Sequence, residues 1–317
     1  MNSRHLIDPQ LLPLLDAVPP IALTAETLAA VRAAKFPLPV DAAAAEAVTL
    51  AVRTVPGPAG APGVGVVVYT PRDPAGGLPC IVHMHGGGYV VGCAAALEPR
   101  NRPLALAAGC VIVSVDYRLA PETRFPGSIE DCYAALAWTF AHADELGVDA
   151  RRVGVMGESA GGGLAAALAL LARDRGEHRL AFQHLIYPML DDRTCVRADP
   201  HPFAGEILWT LQNNAFGWSS LLGVPPGSRG VSAYAAAARA DDLSGLPPAF
   251  ISTGALDLFL EEDIEYARRL LRAGVPVELH VYPGAFHGFD LSPDAGVAQS
   301  ARRDSVAALR RALHSPD

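Results

Sequence analysis

Cysteine is scarce in this chain of 317 residues, and its distribution excludes several classes of site. The five cysteines (Cys80, Cys93, Cys110, Cys132 and Cys195) form no C-x-x-C pair and have no histidine at metal-ligand spacing. An odd, dispersed set of this kind is typical of reduced and mostly buried residues. We therefore expect a cytoplasmic protein with no disulfide framework and no metal site.

Positive charge and long apolar runs are also in short supply. The chain carries 25 Lys and Arg against 33 Asp and Glu, a formal charge of −8, which argues against affinity for nucleic acid. No uncharged apolar run approaches the roughly 18 residues of a membrane helix. The first 20 residues carry Asp8 and Asp16 within their apolar stretch, unlike a signal peptide. We expect neither a nucleic-acid partner nor stable membrane insertion.

Short apolar runs that alternate with amphipathic stretches dominate the rest of the chain. Helical patterns cover Glu130–His142, Gly161–Arg173 and Glu261–Ala273. The predicted strands are Val48–Val55, Val64–Tyr69, Cys80–His85, Val111–Val115, Val153–Met156, His184–Tyr187, Ala249–Thr253 and Glu278–Tyr282. This alternation predicts an α/β fold with a mainly parallel sheet covered on both faces. The first two strands are too close for a helical crossover, so we expect an antiparallel hairpin at one edge.

Residues 191–242 interrupt this alternation. They contain no clear strand but carry apolar and aromatic clusters, including Phe203, Trp209, Phe216 and Trp218. An insertion of this length in a compact domain is usually functional, often as a lid.

A serine motif follows one of the predicted strands. Gly157-Glu158-Ser159-Ala160-Gly161 fits G-x-S-x-G, in which a strand turns sharply into a helix and the serine occupies the strained turn. Roughly one chain in eight of this composition would contain the motif by chance, so the context matters. Here an apolar strand precedes it and an Ala/Leu-rich helix follows, which favours a nucleophile over a simple glycine turn.

A second glycine-rich segment follows another strand. His85-Gly86-Gly87-Gly88 leaves backbone N–H groups uncovered by side chains, as an oxyanion-binding loop requires. A phosphate-binding loop is the alternative, but no G-x-G-x-x-G or G-K-[ST] frame is present. We expect His85 to hold this loop by hydrogen bonds; a catalytic base or metal ligand is the less favoured interpretation.

Together with Asp116-Tyr117-Arg118-Leu119-Ala120-Pro121-Glu122, these blocks resemble the hormone-sensitive-lipase family of esterases, from about Val48 to the C-terminus. The resemblance implies an α/β-hydrolase fold. It also implies that the N–H groups of Gly87, Gly88 and Ala160 bind the oxyanion and that Asp116 and Arg118 brace the glycine loop. It further implies a cap, made of residues 1–45 and 191–242, over a core of residues 46–190 and 243–317.

A base and an acid should follow the serine in that order. His287 follows a strand and is flanked by Gly284 and Gly288, whereas His184 and His280 fall within strands. Asp257 follows the strand Ala249–Thr253, so we predict a catalytic set of Ser159, Asp257 and His287. Glu261 and Asp263 compete for the acid role, but we expect them inside the next helix.

These residues predict a serine carboxylesterase that acts on short- to medium-chain acyl esters through an acyl-enzyme intermediate. No organic cofactor or metal is expected. A lactonase or an amidase would use the same residues, and a non-catalytic small-molecule receptor on the same scaffold is a third alternative. A homodimer through the strand Glu278–Tyr282 is an open possibility.

Overall fold

Runs of β-branched and other apolar residues form one eight-stranded sheet. The computed structural model describes residues 2–18, 22–34, 39–72 and 76–314. The strands are β1 (Val48–Val55), β2 (Val64–Pro71), β3 (Leu78–Met84), β4 (Val111–Asp116), β5 (Val148–Glu158), β6 (Gln183–Ile186), β7 (Ala249–Gly254) and β8 (Val277–Tyr282). Each predicted strand corresponds to one of these eight.

The strand order is β1-β2-β4-β3-β5-β6-β7-β8. β2 runs antiparallel to both β1 and β4, and the remaining neighbours pair in parallel. The α/β fold, the mainly parallel sheet and the antiparallel hairpin at its edge are therefore confirmed. Because β4 and β5 lie on opposite sides of β3, the carboxyl ends of β3 and β5 border a crevice of the type in which such sheets bind ligands.

Helices cover both faces of the sheet. They are α1 (Leu12–Ala17), α2 (Leu28–Ala33), α3 (Ala42–Ala47), α4 (Glu98–Ala108), α5 (Gly127–Ala141), α6 (Ala143–Leu146), α7 (Ala160–Arg175), α8 (Leu211–Leu222), α9 (Leu260–Arg272) and α10 (Gly296–His314). Apolar residues of α5, α7 and α9 pack in one core, and those of α4 and α10 pack in a second core across the sheet. Burial on both faces explains why the central strands are apolar without alternation.

The strand β5 is longer than its apolar pattern indicates. Its first half, Val148–Arg152, is polar and largely accessible, and a register irregularity separates its pairing with β3 from that of the buried second half. Hydrophobic periodicity detects only the buried half, so the predicted start at Val153 was wrong by five residues. The end of the strand that leads to Ser159 agrees with the prediction to within two residues.

The N-terminal segment and residues 191–242 contact each other. The backbone N–H groups of Asn2 and Ser3 donate to Glu206, and the N–H of Leu23 donates to Asn213 Oδ1 on α8 at 2.9 Å. Arg32 on α2 donates to the backbone oxygen of Val90, beyond β3. Within the described residues, no helix combines the length and the apolar character needed to cross a membrane.

Candidate active site

Ser159 stands at the sharp turn between β5 and α7. Its backbone has φ 56° and ψ −124°, a conformation that non-glycine residues rarely adopt. A Cβ on Gly157 would lie 2.2 Å from the backbone oxygen of Gly161, and one on Gly161 would lie 2.1 Å from that of Met84. The two glycines of the motif are therefore required sterically, and the strained turn presents the serine hydroxyl at the N-terminus of α7.

Loops after three different strands bring Ser159, His287 and Asp257 together. His287 Nε2 lies 2.9 Å from Ser159 Oγ, and His287 Nδ1 lies 2.8 Å from Asp257 Oδ2. Asp257 is fully buried, and its Oδ1 accepts a hydrogen bond from the N–H of Phe259 at 2.9 Å. With both oxygens engaged, the carboxylate fixes the imidazole with one ring nitrogen facing the serine hydroxyl.

The glycine loop after β3 lies against the nucleophile. A Cβ on Gly86 would lie 3.4 Å from the Cβ of Ser159. Gly87 has φ 121° and Gly88 has φ 59°, values that favour glycine. In the part of the chain that the structure describes, the N–H groups of Gly87, Gly88 and Ala160 have no hydrogen-bond acceptor. Three backbone donors, two in the glycine loop and one at the start of α7, are thus without an acceptor.

The polar residues around this loop are held by hydrogen bonds. His85 Nδ1 lies 2.8 Å from the backbone oxygen of Gly86, and the His85 ring stacks on Tyr117 with centroids 4.3 Å apart. Asp116 Oδ1 accepts from the N–H of Ala94, just beyond the loop. Burial lowers the pKa of His85 to about 4, so the ring is neutral at physiological pH.

Arg118 braces a neighbouring segment rather than the glycine loop directly. It forms a bidentate ion pair with Asp131, a fully buried carboxylate on α5, at 2.7 and 2.8 Å. Since Arg118 lies in the segment that follows β4, this pair anchors that segment to the helix layer.

Aromatic rings surround His287. The ring centroids of Tyr187 and Phe259 lie 4.7 and 5.2 Å from that of His287, and that of Trp209 lies 6.1 Å away. Trp209 belongs to the aromatic cluster noted in the sequence, whereas Tyr187 and Phe259 were not singled out. Tyr187 directly follows β6, and Phe259 lies between the end of β7 and the start of α9; these positions are the signal that could have identified them.

Glu261 and Asp263, the competitors of Asp257, lie within α9 as expected. Glu261 pairs with Arg197 at 2.6 Å at the surface. Asp263 is fully buried, and desolvation raises its pKa well above the usual range. Neither contacts His287 in the hydrogen bonds of the described residues.

A charged cavity of about 390 Å³ lies beside α9. Its arginines are engaged, because Arg193 pairs with Asp191 and Arg239 pairs with the buried Asp192. Of the described residues that line it, none belongs to the Ser159 site. This cavity is therefore separate from the residues gathered at the ends of β3, β5, β7 and β8.

The fold and this arrangement of side chains define a hydrolase, and the comparisons with known proteins agree. Residues 81–291 match the family described as alpha/beta hydrolase fold. The chain belongs to that family, and its resemblance to the hormone-sensitive-lipase group is confirmed.

Several relatives are similar over almost their whole length. Carboxylesterase NlhH of Mycobacterium tuberculosis is 37% identical over 314 residues, which cover 99% of this chain and 98% of that protein. Esterase LipI of the same organism is 36% identical, with 99% and 97% covered. The solved structure of Bacterial Heroin Esterase superposes with a TM-score of 0.89 at 40% identity and covers 98% of this chain and 99% of its own.

Proposed function

We propose that this protein is a serine carboxylesterase in which Ser159 is the nucleophile, His287 the general base and acid, and Asp257 the residue that orients the imidazole. The reaction class, hydrolysis of carboxylic esters, is that of the full-length relatives. The individual roles rest on one observation, the continuous contact from Ser159 Oγ through His287 to Asp257 at 2.9 and 2.8 Å.

In the proposed mechanism, His287 Nε2 accepts the proton of Ser159 as Oγ attacks the ester carbonyl carbon. Asp257 keeps the other ring proton on Nδ1 and stabilises the imidazolium without taking a proton. His287 then protonates the leaving alcohol, and the acyl group stays on Ser159. Water, deprotonated by the same nitrogen, attacks the acyl-enzyme and releases the acid.

Negative charge develops on the carbonyl oxygen in both steps. We assign its stabilisation to the N–H groups of Gly87, Gly88 and Ala160, which lie beside Ser159 and have no acceptor within the described residues. The N-terminus of α7 adds its partial positive charge at the same point. Loss of one such donor typically removes about 3 kcal/mol of transition-state stabilisation.

The acyl preference follows from the wall beside these donors. Trp209 lies so close to the glycine loop that a Cβ on Gly88 would be 2.1 Å from its Cη2. Its indole N–H donates to Asn214 on α8 at 3.1 Å, which fixes the ring. A rigid aromatic wall at the reacting centre favours short- to medium-chain acyl groups.

Residues 1–45 and 191–242 together form the proposed cap over this site. Their mutual contacts support this division, since Glu206 accepts from Asn2 and Ser3, and Trp209 stands in the second segment. The core would then be residues 46–190 and 243–317. Replacing Glu206 with alanine should loosen the cap and raise KM more than it changes kcat.

The decisive test is hydrolysis of p-nitrophenyl esters, from acetate to palmitate, by the wild type and by Ser159→Ala. We expect the wild type to prefer the shorter chains and the variant to lose activity. Full activity in Ser159→Ala would refute the assignment of Ser159 as the nucleophile. Preference for palmitate would refute the proposed selectivity for short- to medium-chain acyl groups. Parallel assays with a lactone and an anilide decide whether esters are preferred over lactones and amides.

Two further proposals concern assembly and location. The edge strand β8 exposes Leu279 and Val281, so we propose a homodimer through pairing of two β8 strands. Light scattering should give twice the monomer mass for the wild type and the monomer mass for Leu279→Lys; a monomeric wild type contradicts it. The five free cysteines favour the cytoplasm, which cell fractionation tests.

A further inference from the structure

Two nearly buried carboxylates lie next to the proposed reacting residues without being part of the triad. Glu158 immediately precedes Ser159 and is 4% exposed. Asp290 lies three residues beyond His287, in a 3-10 turn of residues Phe289–Leu291, and its side chain is 7% exposed. One carboxylate therefore belongs to the nucleophile turn and the other to the loop of the base.

A single guanidinium on α4 contacts both carboxylates. Arg100 Nη2 pairs with Asp290 Oδ2, and the same nitrogen lies 3.9 Å from Glu158 Oε1. The side chain of Arg100 is 27% exposed, so it covers the two carboxylates from the solvent side. Without it, two desolvated negative charges would face each other beneath the site.

The two loops have other partners, but none of these spans both. Glu158 Oε2 lies 3.0 Å from His83 Nε2 on β3, and Asp290 Oδ1 accepts from the Tyr187 hydroxyl at 2.7 Å. Arg302 on α10 donates to the backbone oxygen of Asp290. In the described residues, Arg100 is the side chain that pairs with both loops.

Both ends of this bridge make further contacts. Burial opposes ionisation of Glu158, but His83 and then Arg100 outweigh it and hold its pKa at about 2. Tyr187, which orients Asp290, has φ 34° and packs its ring edge on His287 at 4.7 Å. The position of Asp290 is therefore transmitted to the imidazole through both the chain and the Tyr187 ring.

We propose that Arg100 is a positioning residue for the hydrolytic reaction, because its bridge between Glu158 and Asp290 sets the Ser159 hydroxyl in line with the His287 imidazole. The proposal rests on the proposed function of these two residues. Breaking the bridge would remove the ion-pair link between these two loops, and the Ser159 hydroxyl and the His287 ring, 128 residues apart in the chain, could then shift relative to each other. A misplacement of about 1 Å at reacting atoms can lower a rate by about 10²-fold.

The test compares Arg100→Met, Arg100→Lys, Asp290→Asn and the double variant Arg100→Met/Asp290→Asn on p-nitrophenyl acetate over a range of pH. We expect Arg100→Met to lower kcat by about 10²-fold while KM changes by less than about threefold. Arg100→Lys, which keeps the charge, should recover most of kcat. Asp290→Asn should lower kcat about as much as Arg100→Met does. The double variant should lower kcat no more than either single variant, because all three break the same bridge.

The pH profile separates positioning from general destabilisation. In Arg100→Met the positive charge that Glu158 and Asp290 share near the base is removed, while the contacts with His83, Tyr187 and Arg302 remain, so the half-maximum of kcat/KM should move to higher pH. The double variant also removes the Asp290 carboxylate, so it should return the half-maximum of kcat/KM toward the wild-type pH. Arg175→Met is the matched control: it breaks the ion pair with Glu130 at the far end of α7 and should leave kcat and the profile unchanged.

Unchanged kcat in Arg100→Met, additive losses in the double variant, or an equal loss in Arg175→Met would each overturn the proposal. If Arg100→Met does not fold, Arg100→Lys and the nearly isosteric Asp290→Asn still decide it, since wild-type kcat in Asp290→Asn overturns the bridge. The two proposals can fail separately. If the proposed function is wrong, Ser159→Ala remains active. If only the role of Arg100 is wrong, Ser159→Ala is inactive and Arg100→Met has wild-type kcat.

Discussion

Adding one methyl group at Gly88 should disable the enzyme, and the structure allows the size of the effect to be worked out. An alanine Cβ there would lie 2.1 Å from Cη2 and 2.7 Å from Cζ2 of Trp209. Because carbon atoms pack at about 3.5 Å, the loop and the indole must separate by about 1.4 Å. The backbone of Gly88, at φ 59°, adds about 1–2 kcal/mol of strain for alanine.

Trp209 cannot give way easily, since its N–H is bonded to Asn214. The shift therefore falls on the loop, and the N–H of Gly88 leaves its place beside Ser159. Loss of one oxyanion donor lowers kcat by about 10²–10³-fold, which is the loss we expect for Gly88→Ala. The assay is kcat on p-nitrophenyl acetate, with urea unfolding to measure stability.

Two variants separate the steric effect from backbone strain. Gly147 has φ 66° and nothing within 4 Å of an added Cβ, so Gly147→Ala should lose about 1–2 kcal/mol of stability with unchanged kcat. Gly88→Ala/Trp209→Ala relieves the contact and should approach the kcat of Trp209→Ala alone to within about tenfold. If the double variant is no better than Gly88→Ala, or Gly88→Ala keeps wild-type kcat, the steric conflict between Gly88 and Trp209 does not control the reaction.

Three further predictions concern the acid, the pocket and pH. In Asp257→Asn the amide oxygen can still accept from the N–H of Phe259, so the NH₂ group turns toward His287 Nδ1 and forces the wrong imidazole tautomer. We expect kcat to fall about 10⁴-fold and the control Glu261→Gln to keep wild-type kcat. Equal losses of kcat in the two variants would contradict the assignment of Asp257. Trp209→Ala should raise relative activity on octanoate over acetate and lose about 3–5 kcal/mol of stability; an unchanged chain-length profile would show that the indole is not the wall. Burial lowers the pKa of His184 from 6.5 to about 3. Between these two pH values, His184 is therefore protonated in the unfolded chain but neutral in the folded chain. The contribution of neutral His184 to the free energy of unfolding is fully present above pH 6.5, and about 2 kcal/mol of it is lost at pH 5. Urea unfolding of His184→Gln should not show this loss. If the wild type and His184→Gln have the same pH dependence of stability, His184 is not its source.

The strands were predictable because the sheet is buried on both faces. The strand cores before Ser159 and Asp257 are buried runs that end at glycine, whereas Val48–Val55 is a largely accessible edge strand rich in β-branched residues, and the structure has strands at each. The polar half of β5 was not predicted, because its pairing with β3 leaves no hydrophobic pattern in the sequence. The helix α4 was not singled out, since Pro99 and Pro103 disturb its pattern.

The candidate site divides along the same line. The turn at Ser159 and the loop at Gly87 and Gly88 were predictable from residue types, because the close backbone contacts at Gly157 and Gly161 exclude a Cβ and the positive φ of Gly87 and Gly88 favours glycine. Arg100 and Asp290 could not, because an arginine on an irregular helix and an aspartate in a loop have no pattern that pairs them. Their relation exists only where α4 passes the loop after β8.

The sequence by itself determined the fold and the reaction class and predicted the proposed order of nucleophile, acid and base, since these depend on local periodicity and on glycine-specific turns. Only the tertiary structure decided the distances that make the set competent, such as 2.9 Å between atoms of Ser159 and His287, 128 residues apart. It also decided that Trp209 covers Gly88 and that Arg100 joins the two loops. Such contacts arise from the packing of distant segments, and packing depends on shape and charge in three dimensions rather than on any pattern along the chain.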